Sequence, residues 1–113
     1  MNHYLISFPS SSMQVSAEEL PALAAARRAV VREARDARVW VFGGGIDEGI
    51  DPVVVSGDGT ITPGSSPETA GMSGGFTVLR LETREEAEQW AARIAVGCGC
   101  DQELRVFMWD PLS

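Results

Sequence analysis

At 113 residues, with 44% hydrophobic and 22% charged residues, the chain has the size and composition of one globular domain (1–113) with one core, which excludes disorder for the chain as a whole. About two thirds of the unfolded surface can be buried at this length, so folding needs no disulfide or metal staple. A net charge of −7 argues against nucleic acid as a partner, because phosphate backbones are held through a basic face.

The first element read from the N-terminus is an apolar, aromatic run, Asn2–Phe8, which predicts a strand closed by Pro9 and followed by loop over Ser10–Met13. Met1–Ile6 carries no basic flank, and Pro9 interrupts the run before a signal core can form, so a cytoplasmic location is expected. Ser16-Ala17-Glu18-Glu19 matches a capping box, and Leu20, Leu23, Ala24, Val30, Val31 and Ala34 recur at helical spacing. A helix over about 17–37 follows, with Pro21 kinking it or delaying its start. The arginines of Arg27–Arg38 are interspersed with Glu33 and Asp36 and read as a solvated helix face.

Val39–Phe42 is β-branched and aromatic, hence a strand, and Gly43-Gly44-Gly45 reads as a bend or bulge after it. It is also the longest strongly apolar run, far below the ~20 residues a membrane span requires, so no membrane partner is expected. Val53–Val55 and Thr60–Thr62 flank the turn Ser56-Gly57-Asp58-Gly59 as a hairpin. Pro63–Gly75 has no periodicity and predicts an exposed loop. Phe76–Leu81 is a strand, and Thr83-Arg84-Glu85-Glu86 is a second capping box. Ala87, Trp90, Ala91 and Ile94 then form the stripe of a helix ending near Gly97, and Glu103–Trp109 alternates as a last strand before Asp110-Pro111.

The order β-α-β-β-(β)-β-α-β predicts a ferredoxin-like α+β fold, an antiparallel sheet with both helices on one face. The strands carry large apolar groups on both faces, Leu79 and Leu81 against Phe76 and Val78, and Val106 and Met108 against Phe107 and Trp109. A sheet with one bare apolar face needs a cover, which predicts a homodimer in which two sheets face each other.

These segments resemble the YCII-related (DGPF-type) family over most of the chain. The likeness is carried by the helix start at Ser16–Leu20, the glycine-rich stretch after Val39–Phe42 and the strand opening at Gly74-Gly75-Phe76. Glu85–Ala91 in the second helix and Glu103-Leu104-Arg105-Val106 in the last strand complete it. The resemblance implies a dimeric α+β barrel. Some relatives use a His–Asp pair with the histidine on the first helix; here that helix has no histidine, and where Asp-Gly-Pro-Phe would fall the chain reads Thr62-Pro63-Gly64-Ser65. The chain is therefore expected to be a homodimeric small-molecule-binding or accessory module without cofactor or metal. The alternative is a small cofactor-free enzyme doing acid–base chemistry in the barrel pocket.

For that alternative the candidate catalytic residues are His3, Ser7 and Arg105. His3 is the only histidine and has the only side chain whose ordinary pKa lies near neutrality; its ordinary reading is a satisfied residue at a chain start. Arg105 shares a strand face with Glu103 and needs a carboxylate partner or an anionic ligand if buried, an interfacial ion pair being the ordinary reading. Cys98-Gly99-Cys100 reads as a glycine-rich helix end with incidental thiols, or as a redox dithiol. Zinc fails within one subunit, since two cysteines and one distant histidine fall short of four ligands. Gly43-Gly44-Gly45 with Gly49 lacks the following helix that a dinucleotide cradle requires. Asp47, Glu48 and Asp51 read as a solvated turn rather than a calcium loop.

Overall fold

The structure is a computed structural model and describes residues 1–112. In chain order it forms β1 (Asn2–Phe8), a short 3-10 turn (Ser10–Ser12), α1 (Leu20–Asp36), β2 (Trp40–Gly45) and β3 (Val53–Val55). β4 (Ile61–Pro63), β5 (Gly75–Leu81), α2 (Arg84–Cys98) and β6 (Glu103–Val106) follow. Four strands form an antiparallel sheet in the order β2-β5-β1-β6, and β3 and β4 form a separate hairpin. β5 lies between β1 and β2, and β1 lies between β5 and β6, so two split β-α-β units interlock. This is an α+β architecture of the ferredoxin-like kind, with the β3–β4 hairpin inserted between its second and third strands.

Period-two alternation sets the two faces of the sheet. Tyr4, Ile6 and Phe8 of β1 and Leu79 and Leu81 of β5 are buried with Ala34 of α1 and Ala87, Ala91, Ile94 and Cys98 of α2. The α2 residues recur at three- and four-residue steps and form one stripe. Ile6, Leu79 and Leu81 are almost wholly enclosed, and burying each contributes about 1.5–3 kcal/mol.

Helix boundaries follow local chemistry. α1 starts at Leu20 rather than at 17. The Glu19 amide donates to the Ser16 carbonyl in a turn, and the expected Ser16 side-chain cap does not form. Pro21 thereby falls in the first helical turn, where a missing N–H leaves no bond unmade. Arg38, with φ 62°, turns the chain out of the helix, while the Val39 amide reaches back to the Ala34 carbonyl. At α2 the Thr83 hydroxyl does cap, accepting from the Glu86 amide at 3.2 Å. Thr83→Ala is expected to cost about 1 kcal/mol in a chemical denaturation experiment.

Two further expectations change, while α2 ends at Cys98, beside the expected stop near Gly97. Gly97 packs closely on α1: a Cβ there would sit 3.2 Å from the Arg27 Cα. The helix stops only where Gly99 takes a left-handed conformation, φ 72°. Gly43-Gly44-Gly45 is strand, paired with Thr77, Phe76 and Gly75, and the irregularity in β2 lies earlier, between Trp40 and Phe42. The last strand ends at Val106, and just beyond it the Phe107 amide donates to the His3 carbonyl at 2.9 Å. No described helix is long and apolar enough to cross a membrane.

Candidate functional site

α1 packs mainly on α2 and touches the sheet sparingly. Only Ala34 of its seventeen residues is buried. The gap this leaves between α1 and the β2–β5 end of the sheet is a cleft of about 720 Å³, within the range of small-molecule sites.

The sheet side of the cleft is glycine-rich because two aromatic rings lie across it. A Cβ on Gly43 would come within 2.5 Å of the Trp40 ring, and one on Gly75 within 2.6 Å of the Phe8 ring. Thr77 and Leu79 continue that side, and Ile94 and Cys98 of α2 close the back. From α1 come the apolar Val30, Val31 and Ala34 and four arginines, Arg27, Arg28, Arg32 and Arg35. The Arg35 guanidinium lies 5.9 Å from the Trp40 ring centroid, a cation–π distance. At the mouth, the Ser10 hydroxyl donates to Glu48 Oε1 at 3.0 Å. The acidic turn expected around Asp47 thus has two uses: Asp47 Oδ1 accepts from the Gly49 amide at 3.0 Å, and Glu48 borders the cleft.

His3, Ser7 and Arg105 lie elsewhere, on the sheet face turned away from the helices. Across the strands this face reads Phe42–Val78–Leu5–Arg105 in one row and Gly44–Phe76–Ser7–Glu103 in the next. His3 pairs with Arg80 beyond them. His3 and Ser7 are four residues apart on β1, about 13 Å along the strand. Arg105 sits diagonally between them, about 7–8 Å from each. Ser7 is buried, whereas Arg105 is exposed and forms an ion pair with Glu103 at 2.7 Å. Within one chain the three do not converge on a single hydrogen-bonding point.

Both cysteines are free thiols. Burial pushes the Cys98 thiol above its ordinary pKa, against a smaller opposing pull from the Arg27 charge. Burial raises Cys100 as well, with Asp101 adding to the effect. A reactive dithiol needs the opposite shift, since the thiolate is the nucleophile. Cys98 is accordingly expected to resist iodoacetamide at pH 7.5 over hours in the folded protein and to react within minutes in denaturant, read by mass spectrometry. A hyper-reactive Cys98 would restore the redox reading.

The sequence signal for the cleft was available but faint. Arg28, Arg32 and Arg35 follow the i, i+4, i+7 spacing of one helix stripe, and all nine basic residues of the chain are arginines. Phe8, Trp40 and Cys98 carry no mutual sequence pattern, and only the fold brings them together.

No curated protein matches this sequence. Among solved structures, the chain is similar to a 5-chloro-2-hydroxyhydroquinone dehydrochlorinase from Burkholderia phenoliruptrix AC1100 in complex with 2,5-dihydroxybenzoquinone. The two share 16% identity at a TM-score of 0.49, over 96% of this chain and 93% of that one. The family model of the YCII-related domain matches residues 4–110, and the chain belongs to that family.

Proposed function

We propose that the protein is a homodimeric small-molecule-binding module whose ligand occupies the cleft between α1 and the β2–β5 end of the sheet. The observation that carries this reading is the cleft itself: 720 Å³, aromatic and glycine-lined on one side, with charged groups only along α1 and at the mouth. A domain held together for stability alone would bring α1 down onto the sheet, because each buried methylene contributes about 0.8 kcal/mol. Here Val30 and Val31 remain half-buried above an open space.

The dimer is supported by surface area. The single chain exposes 7970 Å², against about 6,000 Å² for a compact monomer of its mass. Its radius of gyration is 15.8 Å, against about 13 Å for a chain of this length. The excess is apolar in kind. Phe42 stands 64% exposed on the open sheet face, and Val53, Val54, Val55 and Ile61 are all exposed on the hairpin. A two-stranded hairpin is marginal by itself. A second copy covering the open face and the hairpin would remove roughly 800 Å² per chain in an interface of standard size.

A thermal-shift screen of small aromatic and polar fragments tests the cleft reading. Hits are expected to raise the melting temperature of the wild type by mass action. They are expected to leave it unmoved in Val31→Trp, which fills the cleft from its half-buried rim; circular dichroism checks that the variant folds. Hits that stabilise both proteins equally would place the ligand elsewhere.

One observation favours the enzymatic reading. His3, Ser7 and Arg105 all point to the face that the second copy would cover, where water is excluded and an acid–base group is effective. Turnover of a small polar or aromatic molecule, lost in both His3→Ala and Arg105→Ala with the fold intact, would establish it; turnover that survives both variants would end it.

A further inference from the structure

We infer that the cleft selects an anionic, planar ligand, its carboxylate or phosphate held by the α1 arginines and its ring laid against Trp40 and Phe8. This rests on the cleft being the binding site and adds the class of molecule that fits it.

Charge is the first observation. The chain has a net charge of −7, yet four of its nine basic residues line this one cleft, against a single carboxylate, Glu48. Glu48 is itself engaged by the Ser10 hydroxyl. The ion pairs among the described residues are Arg93–Glu33 and Arg105–Glu103, and neither includes a cleft arginine.

Spacing is the second. Arg28, Arg32 and Arg35 stand at i, i+4 and i+7, so three like charges share one stripe of α1. Such neighbours weaken a helix slightly unless an anion joins them. All of the groups are guanidinium, whose planar fork matches a carboxylate or a phosphate with two parallel hydrogen bonds.

Shape is the third. Gly43 and Gly75 lack side chains where the Trp40 and Phe8 rings lie, so the sheet side of the cleft is a flat apolar surface. The Arg35 guanidinium, at cation–π distance from Trp40, joins the cationic edge to that surface. A ligand with a ring and an acidic substituent would meet both at once, whereas a bare inorganic anion would use only the edge.

Isothermal titration calorimetry with 2-naphthoate and its uncharged counterpart 2-naphthamide tests this on the wild-type protein. Naphthoate is expected to bind roughly 10- to 100-fold more tightly, the range of one or two charge-assisted hydrogen bonds. The double variant Arg32→Gln/Arg35→Gln is expected to lose that preference and keep naphthamide binding. Arg93→Gln, on α2 and paired with Glu33, is expected to leave the preference unchanged. Equal binding of the two probes to the wild type would overturn the anion preference and leave the cleft reading standing. Binding of neither probe would overturn the preference and the cleft reading together. A preference that survives the double variant would assign the anion to other groups and equally overturn the inference. Inorganic phosphate as a third titrant binding as tightly as naphthoate would refute the contribution of the ring.

Discussion

Gly74→Ala is expected to lower the unfolding free energy by about 3 kcal/mol and the melting temperature by roughly 10–15 °C. Gly74 has φ 76°, where a side chain is strained by about 1 kcal/mol before any contact is considered. A Cβ built there collides with the carbonyl oxygen of Phe8 and lies 2.7 Å from the Ser10 amide nitrogen. Both are backbone atoms, so no rotamer change relieves the overlap. The same segment fixes the cleft mouth, because the Gly74 carbonyl accepts from the Ile46 amide at 2.8 Å and the Ser73 hydroxyl accepts from the Ser10 amide at 3.1 Å. Gly71, whose Cβ would meet nothing within 4 Å, is the control: Gly71→Ala is expected to move the melting temperature by no more than a few degrees.

Phe42→Asp is expected to weaken dimerisation about a thousand-fold, the scale of burying an unpaired charge in place of an aromatic anchor. Phe42 is 64% exposed in the single chain, so the substitution removes little from the protomer's own packing. In the proposed dimer the side chain lies in the Phe42–Val78–Leu5–Arg105 row of the covered face. Light scattering on a sizing column is expected to give twice the 12.1 kDa chain mass for the wild type and the single mass for the variant at the same concentration. A wild type that elutes as a stable 12.1 kDa monomer would remove the dimer from the account.

Much of the fold was legible because its signals are local. Alternating apolar residues marked β1 and β5, Thr83 and Glu86 marked the start of α2, and Ser56-Gly57-Asp58-Gly59 marked the hairpin turn. In that turn Asp58 Oδ1 accepts from the Thr60 amide at 2.9 Å, and bonding from Thr60 holds the Asp58 carboxyl below its ordinary pKa. The misreadings arise where tertiary contacts override local preference. Gly43–Gly45 looks like a bend in sequence but is strand, since the nearby Trp40 ring leaves no room for a Cβ on Gly43. The cleft was the least legible feature, for it joins β1, α1, β2, β5 and α2. In sequence its arginines look like a solvated face, because spacing alone cannot show that α1 stands off the sheet.

Indole N–H resonances report directly on whether a ligand enters the cleft. The three tryptophans sit in three places: Trp40 lines the cleft, Trp90 lies on α2 beneath the Arg93 guanidinium at 4.6 Å, and Trp109 follows β6. Titration of 2-naphthoate into ¹⁵N-labelled protein is predicted to shift the Trp40 indole progressively while Trp90 and Trp109 stay in place. Saturable movement of Trp109 or Trp90 with Trp40 unmoved would contradict the cleft as the ligand site.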